Sequence, residues 1–280
     1  MILIADSGST KTEWCLIENR QPIEKCITKG INPFYQTSSE ILQNLMEEYT
    51  LNYKKPQTIY FYGAGCANEE KNNIVKEGLA AYFQGADIHI DSDLCAAARS
   101  LCQQQPGIAC ILGTGSNSCY YDGQAMVNNV SPLGFIIGDE GSGAVLGKKL
   151  IGDLLKNQLP ESVRKHFFET YSTTQAEILD HIYKQGFPNR YLAQYTRFLA
   201  QHIEKPEIES LVTQAFCEFI ERNLLQYEQA ASLPIHFTGS IAYYFKNQLK
   251  KALIKYNLKL GSITQAPMEG LIQYHTALKH

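Results

Sequence analysis

Two short stretches of the sequence combine glycines with hydroxyl side chains directly after an apolar run. Residues 6–11 read Asp-Ser-Gly-Ser-Thr-Lys after Ile2–Ala5, and residues 113–117 read Gly-Thr-Gly-Ser-Asn after Ile108–Leu112. Backbone N–H groups in such turns point outward without a Cβ to block an anion, and hydroxyls add donors. Two of these turns facing each other predict a site for the β- and γ-phosphates of a nucleotide. Neither matches a P-loop, and ordinary tight turns are the alternative interpretation.

Two aspartates stand where a strand is expected to end. Asp6 opens the first turn, where its carboxylate would repel phosphate unless a cation intervened. Its position therefore predicts a Mg²⁺ ion held through water. The alternative is that Asp6 caps the turn. Asp93 opens a predicted helix and can orient a hydroxyl and accept its proton. The helix N-terminus is expected to favour its ionised form. The alternative is a helix cap, for which Asp91 and Ser92 compete.

Residues 134–143, Gly-Phe-Ile-Ile-Gly-Asp-Glu-Gly-Ser-Gly, precede a long apolar helix. Asp139 and Glu140 could bind sugar hydroxyls or lie near a metal, or they could simply complement the helix dipole. Gly239 and Ser240 follow a short buried strand, where a nucleotide base or ribose could approach the backbone closely. A plain strand-to-helix turn explains that pair equally well.

The elements around these residues alternate between strands and helices, which is typical of an α/β protein. Each glycine turn lies between the first two strands of a three-stranded unit, so we predict two similar domains with mixed sheets and a ligand cleft between them. The predicted strands are Ile2–Ala5, Thr12–Ile17, Ile23–Thr28, Thr58–Tyr62, Asp87–Asp91, Ile108–Leu112, Ser118–Tyr121, Gln124–Val127 and Pro234–Thr238. The predicted helices are Ser38–Tyr49, Glu69–Phe83, Ser92–Cys102, a helix from Gly138 to about Leu155, most of Pro160–Ala231, a helix to about Tyr256 and one after Pro267.

The composition limits the classes of function. The chain has 280 residues, 44% of them hydrophobic, and a formal charge of −3, which gives no basic excess for nucleic acid. No apolar run approaches the roughly 20 residues that cross a bilayer, and the amino terminus does not read as a signal peptide. We therefore expect a cytoplasmic protein without a nucleic-acid or membrane partner. The eight cysteines lack metal-site spacing and are expected to be core thiols.

Taken in order and spacing, residues 6–12, Asp93, residues 113–117 and residues 138–142 resemble the N-acetylglucosamine kinase branch of the sugar kinase/actin-like ATPase superfamily. That branch also includes the ATPases that activate benzoyl-CoA reductase and hydroxyacyl-CoA dehydratases. The resemblance covers nearly the whole chain. It implies two ribonuclease H-like domains, 1–106 and 107–266, that close over ATP and sugar, and a final helix, 267–280, that returns to the first domain.

The resemblance also implies a role for each site residue. It makes Asp93 the base for the 6-hydroxyl of an amino sugar, with N-acetylglucosamine the first choice, and assigns Mg²⁺ to Asp6. ATP would be bound by Asp6, Gly8, Ser9, Thr10, Lys11, Thr12, Gly113, Thr114, Gly115, Ser116, Gly239 and Ser240. The sugar would be bound by Asn32, Thr114, Asn117 and Asp139.

Two features depart from the family pattern. Residues 63–68, Gly-Ala-Gly-Cys-Ala-Asn, lack the hydroxyl expected against an N-acetyl sugar, which leaves the sugar open. Ser7 stands where the family often has glycine, a change that is expected to leave phosphate binding intact.

Other functions remain as alternatives. An ATPase activator of a dehydratase or reductase would need cysteines for a shared iron–sulfur cluster, and none has that spacing. A non-catalytic sugar sensor would call for a preceding DNA-binding segment, which we do not expect because the chain starts at its first strand. A filament-forming actin-like protein would not account for the glycine-flanked acids of residues 138–142. The sequence also leaves open whether the helices of 160–231 form a homodimer contact. The aromatic residues there are expected in the core: Phe167, Phe168, Tyr191 and Tyr195.

Overall fold

A computed structural model describes residues 1–8, 10–52 and 55–277. The chain forms two compact units. Met1–Gln105 and Ala266–His280 form the first unit, and Pro106–Gln265 form the second.

The first unit is built on a five-stranded mixed sheet in the order β3-β2-β1-β4-β5. Strand β1 pairs antiparallel with β2 and parallel with β4, which in turn pairs parallel with β5. The strands are β1 (Ile2–Ser7), β2 (Lys11–Glu18), β3 (Gln21–Lys29), β4 (Thr58–Gly63) and β5 (Asp87–Ser92), and the helices are α1 (Ser38–Glu48), α2 (Glu69–Tyr82) and α3 (Asp93–Cys102). Pro22 lies near the start of the edge strand β3, where a missing N–H is tolerated.

The second unit has the same strand order, written β8-β7-β6-β9-β10. Its strands are β6 (Gly107–Leu112), β7 (Ser116–Tyr121), β8 (Met126–Val130), β9 (Ile235–Thr238) and β10 (Leu260–Thr264). Its helices are α4 (Gly134–Ile137), α5 (Gly143–Leu155), α6 (Glu161–Tyr171), α7 (Gln175–Lys184), α8 (Pro188–Ala193), α9 (Thr196–Gln201), α10 (Pro206–Arg222), α11 (Ser240–Tyr244) and α12 (Lys246–Lys255), with short 3-10 turns at Leu224–Gln226 and Glu228–Ala231. The final helix α13 (Met268–Ala277) belongs to the first unit.

The shared order of the two sheets confirms the predicted α/β class with mixed sheets. Three details were wrong. The strand predicted at Gln124–Val127 is β8 at Met126–Val130, because the Asp122 side chain accepts from the N–H groups of Gln124 and Ala125 and keeps them in the turn. Strand β10 was not predicted, because its sequence, Leu-Gly-Ser-Ile-Thr, lacks a strong apolar pattern and lies at a sheet edge. The helix expected from Gly138 begins only at Gly143, since Asp139 and Gly141 have φ angles of +54° and +71° that a right-handed helix does not allow.

Each unit has its own apolar core. The first packs Trp14, Phe61 and Phe83 beneath its sheet, and the second packs Phe167, Tyr195 and their neighbours among the helices. The prediction that Phe167 and Tyr195 are core residues is confirmed, whereas Phe168 and Tyr191, predicted with them, are only partly buried against that core. All eight cysteines are buried thiols, as expected for core positions.

Helix α5 offers a matched test of this packing. A Cβ added at Gly147 would lie 2.0 Å from the Leu192 carbonyl oxygen, whereas one at Gly152 would meet nothing within 4 Å. We expect Gly147→Ala to destabilise the protein by about 1–3 kcal/mol through overpacking. Gly152→Ala should be neutral or stabilise by up to about 1 kcal/mol, because alanine is the better helix former. Chemical denaturation of both variants measures the contrast, and equal midpoints would contradict it.

Candidate active site

In the first unit, three parallel strands end side by side at the residues of interest. The register aligns Asp6 of β1 with Tyr62 of β4, and Tyr62 with Asp91 of β5. Asp93 follows β5 directly as the first residue of α3. Ligand sites in α/β proteins lie at the carboxyl ends of parallel strands, so Asp6 and Asp93 occupy the edge where binding is expected.

The carboxyl groups of Asp6 and Asp93 influence each other. Burial, followed by the negative charges of Asp93 and Glu13, raises the pKa of Asp6 to about 7, and Lys11 lowers it. Burial also raises the pKa of Asp93 above its usual range, although the N–H groups of Leu94 and Asp93 itself lower it. A cation placed near this pair would be favoured electrostatically, because it would offset two poorly solvated negative charges.

Helix α3 is capped by Ser92. Its hydroxyl accepts a hydrogen bond from the N–H of Cys95 at 3.2 Å, so the cap does not need the carboxylate of Asp93. The N–H groups at the helix N-terminus do favour the ionised form of Asp93, as expected, but burial has the larger effect and raises its pKa overall. That outcome makes Asp93 a better proton acceptor than an exposed aspartate.

The sequence did not predict a role for Arg99, a cation on α3. Arg99 donates to Asp91 at 2.6 Å and to the Tyr62 hydroxyl at 2.9 Å, which ties α3 to β5 and β4 next to Asp93. Asp91 and Arg99 lie on a strand and a helix, so no single periodicity relates them.

The first glycine turn is closed by its own backbone. The N–H of Gly8 donates to the Lys11 carbonyl at 3.0 Å, so this amide does not point outward as predicted. Thr12 is fully buried, and its hydroxyl donates to the Lys29 carbonyl at 3.1 Å, which gives it a role in holding β2 against β3. Thr10 and Lys11 are exposed. Ser9, the other residue predicted here, lies outside the described residues.

Asn32 lies on the loop that follows β3. Its side-chain oxygen accepts from the N–H of Phe34 at 2.9 Å, and its own N–H donates to Gln36 at 2.8 Å. A Cβ at Gly65, which has a φ of +87°, would lie 2.5 Å from that side-chain oxygen. Glycine at 65 therefore lets residues 63–68 approach Asn32 closely.

In the second unit, the second glycine turn is bound to the segment that contains Asp139. The N–H groups of Gly143 and Ala144 donate to the carbonyls of Gly113 and Thr114 at 2.8 and 3.0 Å. A Cβ at Gly115 would lie 3.1 Å from an Asp139 carboxylate oxygen. The structure thus brings together the predicted residues 113–116 and Asp139.

The Asp139 carboxyl group is poorly solvated. Burial raises its pKa to about 6, although the Ser116 N–H lowers it, and the charge of Glu140 adds to the rise. Within the described residues, the N–H of Gly113 donates to the Gly115 carbonyl at 2.9 Å, while those of Thr114 and Gly115 make no such bond. The turn therefore presents two amide donors beside one acceptor carboxylate.

Glu140, unlike Asp139, holds its own loop in place. It pairs with Arg222 at 2.5 Å and accepts from the Asn223 side chain at 3.2 Å. These contacts fix residues 139–142 to the end of α10. Residue type and spacing alone did not separate the two acids, because Arg222 lies more than 80 positions away.

Asn117 is oriented by a second amide. Its side-chain oxygen accepts from Asn129 at 2.9 Å and from the N–H of Ser118 at 2.9 Å. Both contacts fix the orientation of the Asn117 amide, and its role in sugar binding stays a prediction. Asn129 was not predicted, because its position opposite Cys119 depends on the β7–β8 register.

Gly239 lies against the start of the second turn. Its φ is +116°, and a Cβ there would lie 2.3 Å from the Leu112 carbonyl oxygen, so packing of β9 on β6 alone requires glycine. Ser240 is exposed at the start of α11. The nucleotide role predicted for this pair stays a prediction.

The described residues contain no cluster of three or more His, Cys, Asp or Glu side chains able to hold a metal. Within that same part of the chain, no helix combines the length and apolarity needed to cross a membrane.

No protein-family model and no curated protein matches the chain. Among solved structures, one from Porphyromonas gingivalis, described as a "Putative N-acetylglucosamine Kinase", is 47% identical, with a TM-score of 0.96 and 99% of both chains covered. The chain belongs to the N-acetylglucosamine kinase-like family of sugar kinases and actin-like ATPases.

More distant members of this superfamily share the fold. A Chromobacterium violaceum protein described in the same words is 16% identical, with a TM-score of 0.76 and 98% of both chains covered. A ROK family glucokinase from Streptomyces griseus, solved with glucose and AMPPNP, is 12% identical, with a TM-score of 0.58 over 99% of this chain and 97% of that one. These two structures show the shared fold alone, and the 47% identical structure is the one that confirms the resemblance.

Proposed function

We propose that this protein is an ATP-dependent sugar kinase that transfers the γ-phosphate to the 6-hydroxyl of an amino sugar, N-acetylglucosamine. The observation that carries the proposal is the pair Asp6 and Asp93 at the carboxyl ends of parallel strands, beside the first glycine turn. The family of the 47% identical relative supports the reaction, and that relative's description supports the sugar.

In this proposal Asp93 acts as the base. As the sugar 6-oxygen attacks the γ-phosphorus, the bond from that phosphorus to the β–γ bridging oxygen breaks, ADP leaves and the hydroxyl proton moves to Asp93. Burial raises the pKa of Asp93, which brings its proton affinity closer to what transfer near neutral pH requires.

Mg²⁺ would arrive with ATP as part of the substrate. The donor set fits it: Mg²⁺ favours one or two carboxylates with phosphate oxygens and water, and Asp6 is a poorly solvated carboxylate whose pKa is raised to about 7. Bound at Asp6 through water, the ion would offset phosphate charge. Lys11, which is exposed, would contact the phosphates directly.

The remaining predicted residues would bind the two substrates. Thr114 and Gly115 would donate backbone N–H groups to phosphate, and Asp139 and Asn117 would accept from and donate to sugar hydroxyls. Asn32 would bind the sugar from the first unit. Gly239 and Ser240 would contact the adenosine.

ADP release with MgATP tests the proposal across N-acetylglucosamine, glucosamine, N-acetylmannosamine, N-acetylmuramic acid, glucose and no sugar. We expect release only with an amino sugar and fastest with N-acetylglucosamine. Release at the same rate without sugar would instead favour the ATPase activators, and no turnover with any sugar would favour a sensor. Phosphorus NMR of the product distinguishes a 6-phosphate from a 1-phosphate.

A further inference from the structure

Ser7, where the family often has glycine, reaches the loop that carries Asn32. Its hydroxyl accepts from the N–H of Ile31 at 2.9 Å and lies 3.0 Å from the Ile31 carbonyl and 2.8 Å from the Thr12 hydroxyl. One side chain thus contacts both backbone polar groups of the residue that precedes Asn32.

These contacts are shielded from water. Ser7 is fully buried, and Ile31 is 1% exposed. Without the Ser7 hydroxyl, the Ile31 N–H would be buried and unpaired unless the loop moved toward solvent, and such groups are costly to leave unsatisfied. The expected response to its loss is therefore displacement of the loop.

The same stretch is bound to the glycine turn at two further points. The N–H of Gly30 donates to the Thr10 carbonyl at 3.1 Å, and the Lys29 carbonyl accepts from Thr12. Because Ser7 holds the residue nearest to Asn32, it has the most direct effect on where the Asn32 amide lies.

We propose that Ser7 is a positioning residue that holds Asn32 in place for the sugar. This inference rests on the proposed function. It predicts that loss of the hydroxyl weakens binding of the sugar and leaves binding of the nucleotide, proposed to contact Lys11, Thr114 and Gly115, unaffected.

The experiment compares Ser7→Ala with wild type in steady-state kinetics and amide exchange. We expect the KM for the sugar to rise about tenfold, the cost of one buried hydrogen bond, with kcat and the KM for ATP within twofold of wild type. The amide exchange rates of Ile31, Asn32 and Phe34 should rise at least tenfold as well. Should the alanine variant not fold, Ser7→Cys keeps the volume but offers only a weak hydrogen-bond partner, and the same shifts are expected.

Thr28→Val is the matched control. Thr28 is also buried, on the strand that leads to this loop, and its hydroxyl accepts from the Trp14 indole at 2.9 Å without contacting Ile31. Its sugar KM should stay within twofold of wild type. The proposal would be overturned if Ser7→Ala left the KM for the sugar unchanged or raised the KM for ATP by the same factor. It would also be overturned if Thr28→Val raised the KM for the sugar as much as Ser7→Ala does.

If wild type releases no ADP with any sugar, the kinase proposal fails, and the exchange rates alone decide on Ser7. Faster amide exchange at Ile31, Asn32 and Phe34 in the variant would then support the role of Ser7 in holding the loop. Unchanged exchange would refute it.

Discussion

Asp93→Asn is expected to lower kcat for sugar phosphorylation by about 10²–10⁴-fold, the usual contribution of a positioned base. The amide keeps the shape of the carboxyl group but cannot take the hydroxyl proton. Binding of the nucleotide should be unchanged, because Asp93 contacts the acceptor in the proposed function. ADP release with saturating sugar, together with calorimetric titration of an ATP analogue, measures both quantities.

Asp87→Asn is the control for this variant. Asp87 begins β5, the strand that directly precedes Asp93; it is exposed and pairs with His89 at 2.9 Å. Its replacement should leave kcat within twofold of wild type. Normal turnover in Asp93→Asn would exclude Asp93 as the base.

Asp6→Asn is expected to have opposite effects on activity and stability. The proposed Mg²⁺ contact would be lost, and we expect kcat to fall by about 10²-fold or more, the scale of a lost electrostatic contact in the transition state. At pH 8 the unliganded variant should be more stable than wild type by about 2 kcal/mol, because the folded protein no longer carries a poorly solvated charge. Thermal denaturation at several pH values measures the difference.

The sign of the pH dependence follows from the raised pKa. The folded pKa of Asp6, about 7, lies above its unfolded value, so a bound proton favours the folded state. The cost of ionisation is absent below about pH 4 and complete above about pH 7, so the stability gain of Asp6→Asn should vanish in acid. Wild-type activity should instead decline as pH falls through 7, since the ionised carboxylate is the active form.

Glu13→Gln provides an independent check. The negative charge of Glu13 is one cause of the raised pKa of Asp6, so its removal should shift the acid limb of the activity profile to lower pH. A gain in stability for Asp6→Asn that is equal at pH 4 and pH 8 would show that the charge of Asp6 is not its source.

Local sequence signals determined most of the architecture. Short apolar runs bounded by Gly, Asp and Asn predicted nearly all the strands, because strand and turn preferences act over a few residues. The repeated three-stranded unit around two glycine turns predicted two similar sheets, and both have the same strand order. Strand β10 was missed because its residues show no alternation, and it forms only by pairing with β9.

What the predicted site residues do depended on the tertiary structure. The residue types gave Asp139 and Glu140 equal claims, and only the family resemblance favoured Asp139; in the structure Arg222 engages Glu140, while Asp139 faces Gly115. The sequence counted Ser7 and Thr12 as phosphate donors, although both hydroxyls are directed to the β3 end and its loop. Hydrogen-bond partners and burial come from residues distant in sequence, so the chain specifies which groups are present and only folding decides which of them stay available.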